Sequence, residues 1–162
     1  MYTFPEDRDH ITLGLISDTH GLLRDEAVDA LQDSDLIIHA GDIGALSVID
    51  QLGAIADVVA VRGNMDRDEV AGKFPLTETV QVNEVLLYAI HDLGRLDLDP
   101  GVSGIAVVIF GHSHEPVIQK QDGILYVNPG SAGPRRFRLP VSLGKLHISG
   151  KTLNAELITL TV

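Results

Sequence analysis

Residues 11–20 read Ile-Thr-Leu-Gly-Leu-Ile-Ser-Asp-Thr-His, a short apolar run that stops on Asp18 and His20. Its length and character predict a buried strand with polar residues at its carboxyl end. The same grammar repeats downstream. Arg24–Gln32 places Ala27, Val28, Ala30 and Leu31 at roughly helical spacing, and Leu36–His39 is a second apolar run, leading to Gly41-Asp42. Leu46–Leu52 reads as a helix, and Val58–Val61 as a third strand that ends at Gly63-Asn64. Strands alternating with helices imply βαβ units and a parallel sheet.

The second half changes character. Val80–Val82 and Val85–Ile90 flank Asn83-Glu84 as a plausible hairpin, and Ile105–Phe110 is short and strongly apolar. Val117–Lys120 and Ile124–Asn128 flank Asp122-Gly123, a strong two-residue turn signal. Val141–Ile148 and Leu153–Leu160 make a last hairpin around residues 149–152. Parallel units followed by antiparallel hairpins predict an α/β fold of two mixed sheets packed face to face, with helices outside. No repeat, low-complexity segment or linker divides the chain, so residues 1–162 are expected to form a single domain.

Composition sets limits on function. The chain is 44% hydrophobic but only 4% aromatic, so the core must be aliphatic. There is no Cys, which excludes a disulfide framework, a thiolate metal site and a Cys nucleophile. No apolar run approaches the ~20 residues of a membrane span, and the polar, acidic residues 1–10 do not read as a signal peptide. A cytoplasmic location is expected. A net charge of −11 argues against long nucleic acids and anionic membranes as partners. Bound cations can reverse a local field, so an anionic substrate stays open.

Five segments at the expected strand ends hold the chemistry: Asp18-Thr19-His20, Gly41-Asp42, Gly63-Asn64-Met65-Asp66, His91, and Gly111-His112-Ser113-His114. In α/β sheets, functional groups collect beyond the carboxyl ends of the strands. Positions i and i+2 of extended chain face the same way, which would aim Asp18 with His20, and His112 with His114, into one cavity. Asp42 has two oxygens with which to bridge cations, and Asn64 offers a neutral carbonyl. Imidazole mixed with carboxylate suits Mn, Fe, Zn, Ni or Co better than Ca. The glycines at 41, 63 and 111 are expected to let the backbone turn sharply.

This ordered set resembles the calcineurin-like metallophosphoesterase superfamily. Asn128-Pro129-Gly130-Ser131 resembles the tail motif of its small single-domain bacterial and archaeal phosphodiesterases. The resemblance runs from about Ile11 to Arg138. It implies an αββα sandwich and two divalent ions, Mn²⁺ first, with Ni²⁺, Fe²⁺, Co²⁺ or Zn²⁺ as alternatives. Carried over by motif, one ion falls to Asp18, His20 and His114, and the other to Asn64, His91 and His112, with Asp42 between them. Such a pair can share a hydroxide nucleophile and clamp the phosphoryl oxygens. The implied activity is hydrolysis of small phosphodiesters. The alternatives are a phosphomonoesterase, or a noncatalytic protein-binding scaffold of the same fold such as the retromer subunit. Four retained imidazoles favour catalysis. A homo-oligomer is compatible with the sequence.

Two departures from the family pattern stand out. Met65 replaces the His that often follows the Asn, and Asp92 replaces the Gly that usually follows the His at 91. Asp66 is a candidate for ligand orientation or proton transfer, with a helix N-cap as the competing role. Asn128 and Arg135 are candidates to meet substrate. The competing readings are a tight turn for Asn128-Pro129-Gly130, and solvated arginines for Arg135 and its neighbour Arg136. His39 is either a partner to a ligand or a core residue, and His10 and His147 fall on the surface. The loop 92–103 reads as solvated chain, with bordering of the site as the second possibility.

Overall fold

The apolar runs become strands because each alternates between two buried faces. In the computed structural model, which describes residues 1–162, Ile11, Leu13 and Leu15 face the partner sheet while Ile16 faces helices. Leu36 and Ile38 divide from Ile37 in the same way. This period of two is what a strand buried on both sides requires.

The strands are β1 Tyr2–Thr3, β2 His10–Ile16, β3 Leu36–His39, β4 Asp57–Ala60, β5 Thr77–Val82 and β6 Val85–Ile90. They continue with β7 Val107–Ile109, β8 Val117–Gln121, β9 Ile124–Asn128, β10 Ser142–Ser149 and β11 Thr152–Thr159. One sheet has the order β11-β10-β2-β3-β4 and the other β1-β5-β6-β7-β9-β8. Both are mixed: β2, β3 and β4 run parallel while β10 pairs antiparallel with β2 and β11. Between the two sheets lies an aliphatic core that includes Leu13, Leu15, Ile38, Val80, Leu87 and Ile109.

Helices α1 Asp25–Ala30, α2 Leu46–Gly53 and α3 Asp68–Lys73 cover the outer face of the five-stranded sheet, through Ala27, Val48, Leu52 and Val70. The two mixed sheets agree with the expected architecture, but the fourth layer differs. The outer face of the six-stranded sheet is covered by the loop after β6, through Leu93, Leu96 and Leu98 against Tyr88, Ile90 and Val108. Its only helical part is a 3₁₀ turn, Leu93–Arg95. Leucines spaced along this loop supply the apolar cover that a helix would otherwise give. β1 and α3 were not legible in the sequence: β1 is two residues long, and α3 has only Val70 and Ala71 as apolar residues, too few to show a period.

Topology then positions the site. β2, β3 and β4 run parallel, as do β6 and β7. The segments that leave their carboxyl ends carry Asp18 and His20, Asp42, Asn64, His91, and His112 and His114. One edge of the sandwich therefore collects all seven.

Candidate metal centre

Asp18 lies at the middle of the cluster. It is fully buried, and its Oδ2 accepts hydrogen bonds from the Ser17 hydroxyl at 2.7 Å and the His112 amide at 3.2 Å. Its Oδ1 instead faces imidazoles: His114 Nε2 at 3.3 Å, His91 Nε2 at 3.8 Å and His20 Nε2 at 3.9 Å. Asp42 divides its oxygens in the same way. Oδ1 accepts the Met65 amide at 2.8 Å, while Oδ2 lies 3.3 Å from His91 Nε2 and 3.7 Å from His20 Nε2. His91 Nδ1 donates to the Ala40 carbonyl at 2.7 Å, which leaves Nε2 as the nitrogen that faces both carboxylates.

Two ligand groups emerge, Asp18–His20–His114 and Asp18–Asp42–His91. Asp42 Oδ2 lies between His20 and His91 as a bridging carboxylate would, and Asp18 reaches into both groups. Asn64 and His112 form an outer lip, with His112 Nδ1 3.2 Å from Asn64 Oδ1 and the His91 and His112 rings edge-on at 5.3 Å.

The donor set fits divalent cations. Asp18 Oδ1, His20 Nε2, His91 Nε2 and His114 Nδ1 are buried atoms without a hydrogen-bond partner. Buried polar atoms are normally satisfied, and Asp18 Oδ1 with the His20 and His91 Nε2 atoms facing it forms an unsatisfied cluster that a cation would satisfy. The proton equilibria agree. Burial alone would raise the Asp18 and Asp42 carboxyls, but His114 and His91 outweigh it at Asp18 and hold that carboxyl below its ordinary value. His91, the Met65 amide and His20 do the same at Asp42. Burial would lower His91, yet the Asp42 and Asp18 carboxylates raise it. The carboxylates favour the protonated form of the imidazole facing them.

The backbone reaches this arrangement by a route other than strand alternation. Asp18, His20, Asp42, His112 and His114 all have positive φ, between 48° and 74°. Five polar residues in the left-handed region form kinked loops, so each Asp-x-His or His-x-His pair converges through kinks instead of through the pleat. Such conformations are unfavourable for non-glycine residues and cluster at functional sites. The glycines matter partly for another reason than turning. Gly41 does adopt φ +104°, but a Cβ at Gly63 would strike Asp42, and one at Gly111 would strike Ser17 and Asp18.

Several candidates turn out to hold the loops together. Asp66 neither caps α3, whose N-cap is Arg67, nor reaches the imidazoles. Its Oδ2 accepts the Gly63 and Ile43 amides at 2.9 and 3.1 Å, and its Oδ1 accepts the Gly44 amide at 2.9 Å. A carboxylate so occupied joins the loops after β3 and β4. Asn128 is fully buried, donates to the Gly111 carbonyl and Ser113 hydroxyl, and accepts the Gly130 amide, so it braces the loops after β7 and β9. Both side chains are engaged mainly by backbone groups, some local and some from a loop distant in sequence.

His39 is a core residue that also supports the site. Its Nδ1 accepts the Gly41 amide at 3.1 Å, so the proton sits on Nε2 and is donated to Thr19 Oγ1 at 2.9 Å. Thr19 in turn donates to the Ile43 carbonyl at 2.9 Å. Burial pushes His39 down to about 4 against the pull of Asp18, Asp66 and Asp42. Arg135 is exposed, while the chain just before it lies under the site: Ser131 Oγ donates to the Asp18 carbonyl at 3.0 Å. Neither Ser17 nor Ser131 was given a role in the sequence, although Ser17 adjoins the Asp18 motif and Ser131 ends the Asn128-Pro129-Gly130-Ser131 motif. Asp92, Arg95 and Asp97 border a cleft of about 820 Å³ beside His91 and His112, so the loop after β6 does flank the site. His147 and the exposed His10 stack at 5.7 Å, outside the candidate site.

Comparison with known proteins agrees with this geometry. Residues 11–151 match the calcineurin-like phosphoesterase superfamily domain. The chain is 38% identical to a probable metallophosphoesterase of Methanocaldococcus jannaschii, covering 90% of this chain and 80% of that one. A phosphodiesterase of the same organism is 29% identical, covering 73% and 82% respectively. Among solved structures, vacuolar protein sorting 29 from Cryptosporidium parvum superposes with a TM-score of 0.75 at 19% identity, covering 96% of this chain and all of that one.

The neutral His39 predicts a specific acid sensitivity. With a folded value near 4 and an unfolded value near 6.5, the unfolded chain binds the extra proton between those limits. His39 therefore contributes stability that is full above pH ~6.5 and falls as the pH drops towards 4, by on the order of 3 kcal/mol. In metal-free protein, His39→Gln is expected to lower stability at pH 7 and to flatten the pH dependence of unfolding between pH 6.5 and 4. Chemical denaturation across that range checks it; parallel curves for the two proteins would contradict it.

Proposed function

From the premise that this chain belongs to the calcineurin-like phosphoesterase superfamily, we propose that it is a phosphodiesterase acting on small diesters with two divalent cations, Mn²⁺ first among them. The observation that carries the reading is the pair of buried carboxylates, Asp18 and Asp42, each with one oxygen facing the His20 and His91 Nε2 atoms, which no hydrogen bond satisfies. Asp18, His20 and His114 would hold one ion, Asn64, His91 and His112 the other, and Asp42 would stand between them. When bound, such ions supply Lewis acidity to phosphoryl oxygens and a source of hydroxide at neutral pH.

The chain's own residues define the rest. Gly63 and Gly111 let Asp42 and Asp18 approach their neighbours closely. The Met65 amide and Ser17 hydroxyl each take one oxygen of Asp42 and Asp18, which orients the other oxygen inward. The Met65 side chain is 54% exposed beside this loop, and a thioether donates no proton. Asp66, occupied by three amides, is left out of the proton path. The alternative of a protein-binding scaffold needs no intact ligand set, whereas all four imidazoles are retained here.

Three outcomes follow from this reading. Metal analysis of the Mn²⁺-reconstituted protein is expected to approach two ions per chain, and Asp42→Asn to lower both metal content and turnover. Unchanged metal content and activity in that variant would sink the assignment. A leaving group that needs a proton will depart slowly, because general acid catalysis is typically worth about 10²–10⁴-fold. Aryl diesters should therefore be cleaved much faster than alkyl ones, with a steep dependence of rate on leaving-group pKa. Met65→His should flatten that slope if its imidazole reaches the leaving oxygen. Equal rates across the series with chemistry rate-limiting would mean that another acid serves. Finally, duplex DNA should bind poorly at moderate salt in a filter-binding assay, given the net charge of −11.

A further inference from the structure

At the end of the sandwich opposite the metal centre, the outer face of the five-stranded sheet carries a second group of imidazoles. β2 begins at His10, and the loop beyond its other end holds Asp18, so the length of a seven-residue strand, roughly 20 Å, separates the two groups. Strand register sets the group. Thr12 lies opposite His147 and His10 opposite Ser149, which places these four side chains on one face of β2 and β10. Gly14 continues that face, but there Leu31 and Ser34, just after α1, press against the strand. Helical cover therefore stops at Gly14 and leaves the His10 end bare.

The two rings stack at 5.7 Å with 19° between their planes. Their outer nitrogens are engaged: His147 Nε2 lies 2.7 Å from Glu156 Oε2, and His10 Nδ1 lies 3.1 Å from the Ser149 hydroxyl. A carboxylate only accepts, so His147 Nε2 carries the proton, and Nδ1 is the lone-pair nitrogen of the neutral ring. The inner nitrogens, His147 Nδ1 and His10 Nε2, both face Thr12 Oγ1, at 3.3 and 3.4 Å. These are the longest contacts of the group, beyond the ~3.0 Å typical of a good hydrogen bond. A single buried hydroxyl thus stands between two imidazole nitrogens and holds neither closely.

We infer that this face is a separate metal site, taking one imidazole-preferring divalent cation, Zn²⁺ or Cu²⁺, on His10 Nε2 and His147 Nδ1. Solvent completes the shell, since both imidazoles lie on an open face. Glu156 behind His147 is the arrangement that metal-bound imidazoles use: the carboxylate takes the remote N–H, fixes the tautomer and raises the basicity of the ligating nitrogen. The ligands come from strands that are already paired, so little further order is needed to bring them together. Nearby charges are committed elsewhere. Lys145 of β10 is held by Asp33 at 2.8 Å, and Asp35 by Arg8 at 2.7 Å. Two nitrogens without a carboxylate ligand favour Cu²⁺ or Zn²⁺ over Mn²⁺, whereas the centre around Asp18 mixes both donor types. A bound ion would clip the start of β2 to β10 and stabilise the folded chain by mass action. None of this depends on the phosphodiesterase reading.

The test uses the full chain and Zn²⁺ as the probe. Equilibrium dialysis with metal counting is expected to give one Zn²⁺ per chain more in the wild-type protein than in His10→Gln or His147→Gln. The Mn²⁺ content of both variants, measured on separate samples, should equal that of the wild type. Glu156→Gln should keep the extra ion but weaken it by at least about tenfold, as loss of such a backing carboxylate does. Zn²⁺ should also raise the unfolding temperature of the wild-type protein more than that of either histidine variant. A second readout needs no variant: in ¹H–¹³C NMR of the wild-type protein, the His10 and His147 ring signals should shift saturably as Zn²⁺ is added. Equal Zn²⁺ counts in the wild type and both histidine variants would overturn the inference. So would ring signals of His10 and His147 that stay fixed at saturation, or a loss of Zn²⁺ in the variants matched by an equal loss of Mn²⁺, which would place the effect at the Asp18 centre.

Discussion

Asp18 sits where β2 ends, without solvent exposure, and a buried carboxylate is expensive unless every oxygen is met. Its requirements organise the structure around it. One oxygen takes Ser17 and the His112 amide, which brings the segment after β7 onto the end of β2. That approach is possible only because residue 111 has no side chain. Its backbone carbonyl takes Ser131, and the Ser17 carbonyl takes the Ala132 amide, so the chain after β9 is held beneath it. The other oxygen is given to imidazoles. Three remote segments thus converge on one group, and removing its charge would loosen contacts far from any substrate.

Ligand placement and backbone strain are linked here. Five of the seven candidate ligands lie in the left-handed region, which unsupported polar residues visit at a cost. The supports are identifiable. Asp66 clasps the loops after β3 and β4 with three hydrogen bonds, and His39 with Thr19 ties the loop after β2 to the loop after β3. These groups make no contact with substrate under the proposed assignment. They hold ligands in conformations that the chain would otherwise leave.

What the sequence disclosed and what it hid divide along the same line. Strands such as β2 and β3 were legible because burial on two faces demands an uninterrupted aliphatic run, and the ligands because they follow those runs in order. Hidden were interactions whose partners are backbone groups. Asp66 and Asn128 look like catalytic side chains in a string of letters, since nothing local says that three amides, or an amide and a carbonyl, will occupy them. The left-handed kinks were hidden for a related reason: Asp and His carry no marker for positive φ as Gly does. That the largely exposed loop after β6 also covers the six-stranded sheet was hidden, because its leucines follow no helix or strand period although they pack against Tyr88 and Ile90.

The acidic character of the chain gives the metal centre a second role. With a net charge of −11 and two buried carboxylates at the site, the protein alone would repel a phosphodiester anion. Divalent cations would reverse that local field, and would also satisfy the buried atoms that the fold leaves unpaired. The same ions would therefore do three things: relieve the electrostatic cost of Asp18 and Asp42, hold the strained loops in register, and admit an anion that the rest of the surface turns away. Substrate binding and stability are then coupled through one set of residues. Selectivity among diesters has to come from elsewhere, since the ions recognise only the phosphate.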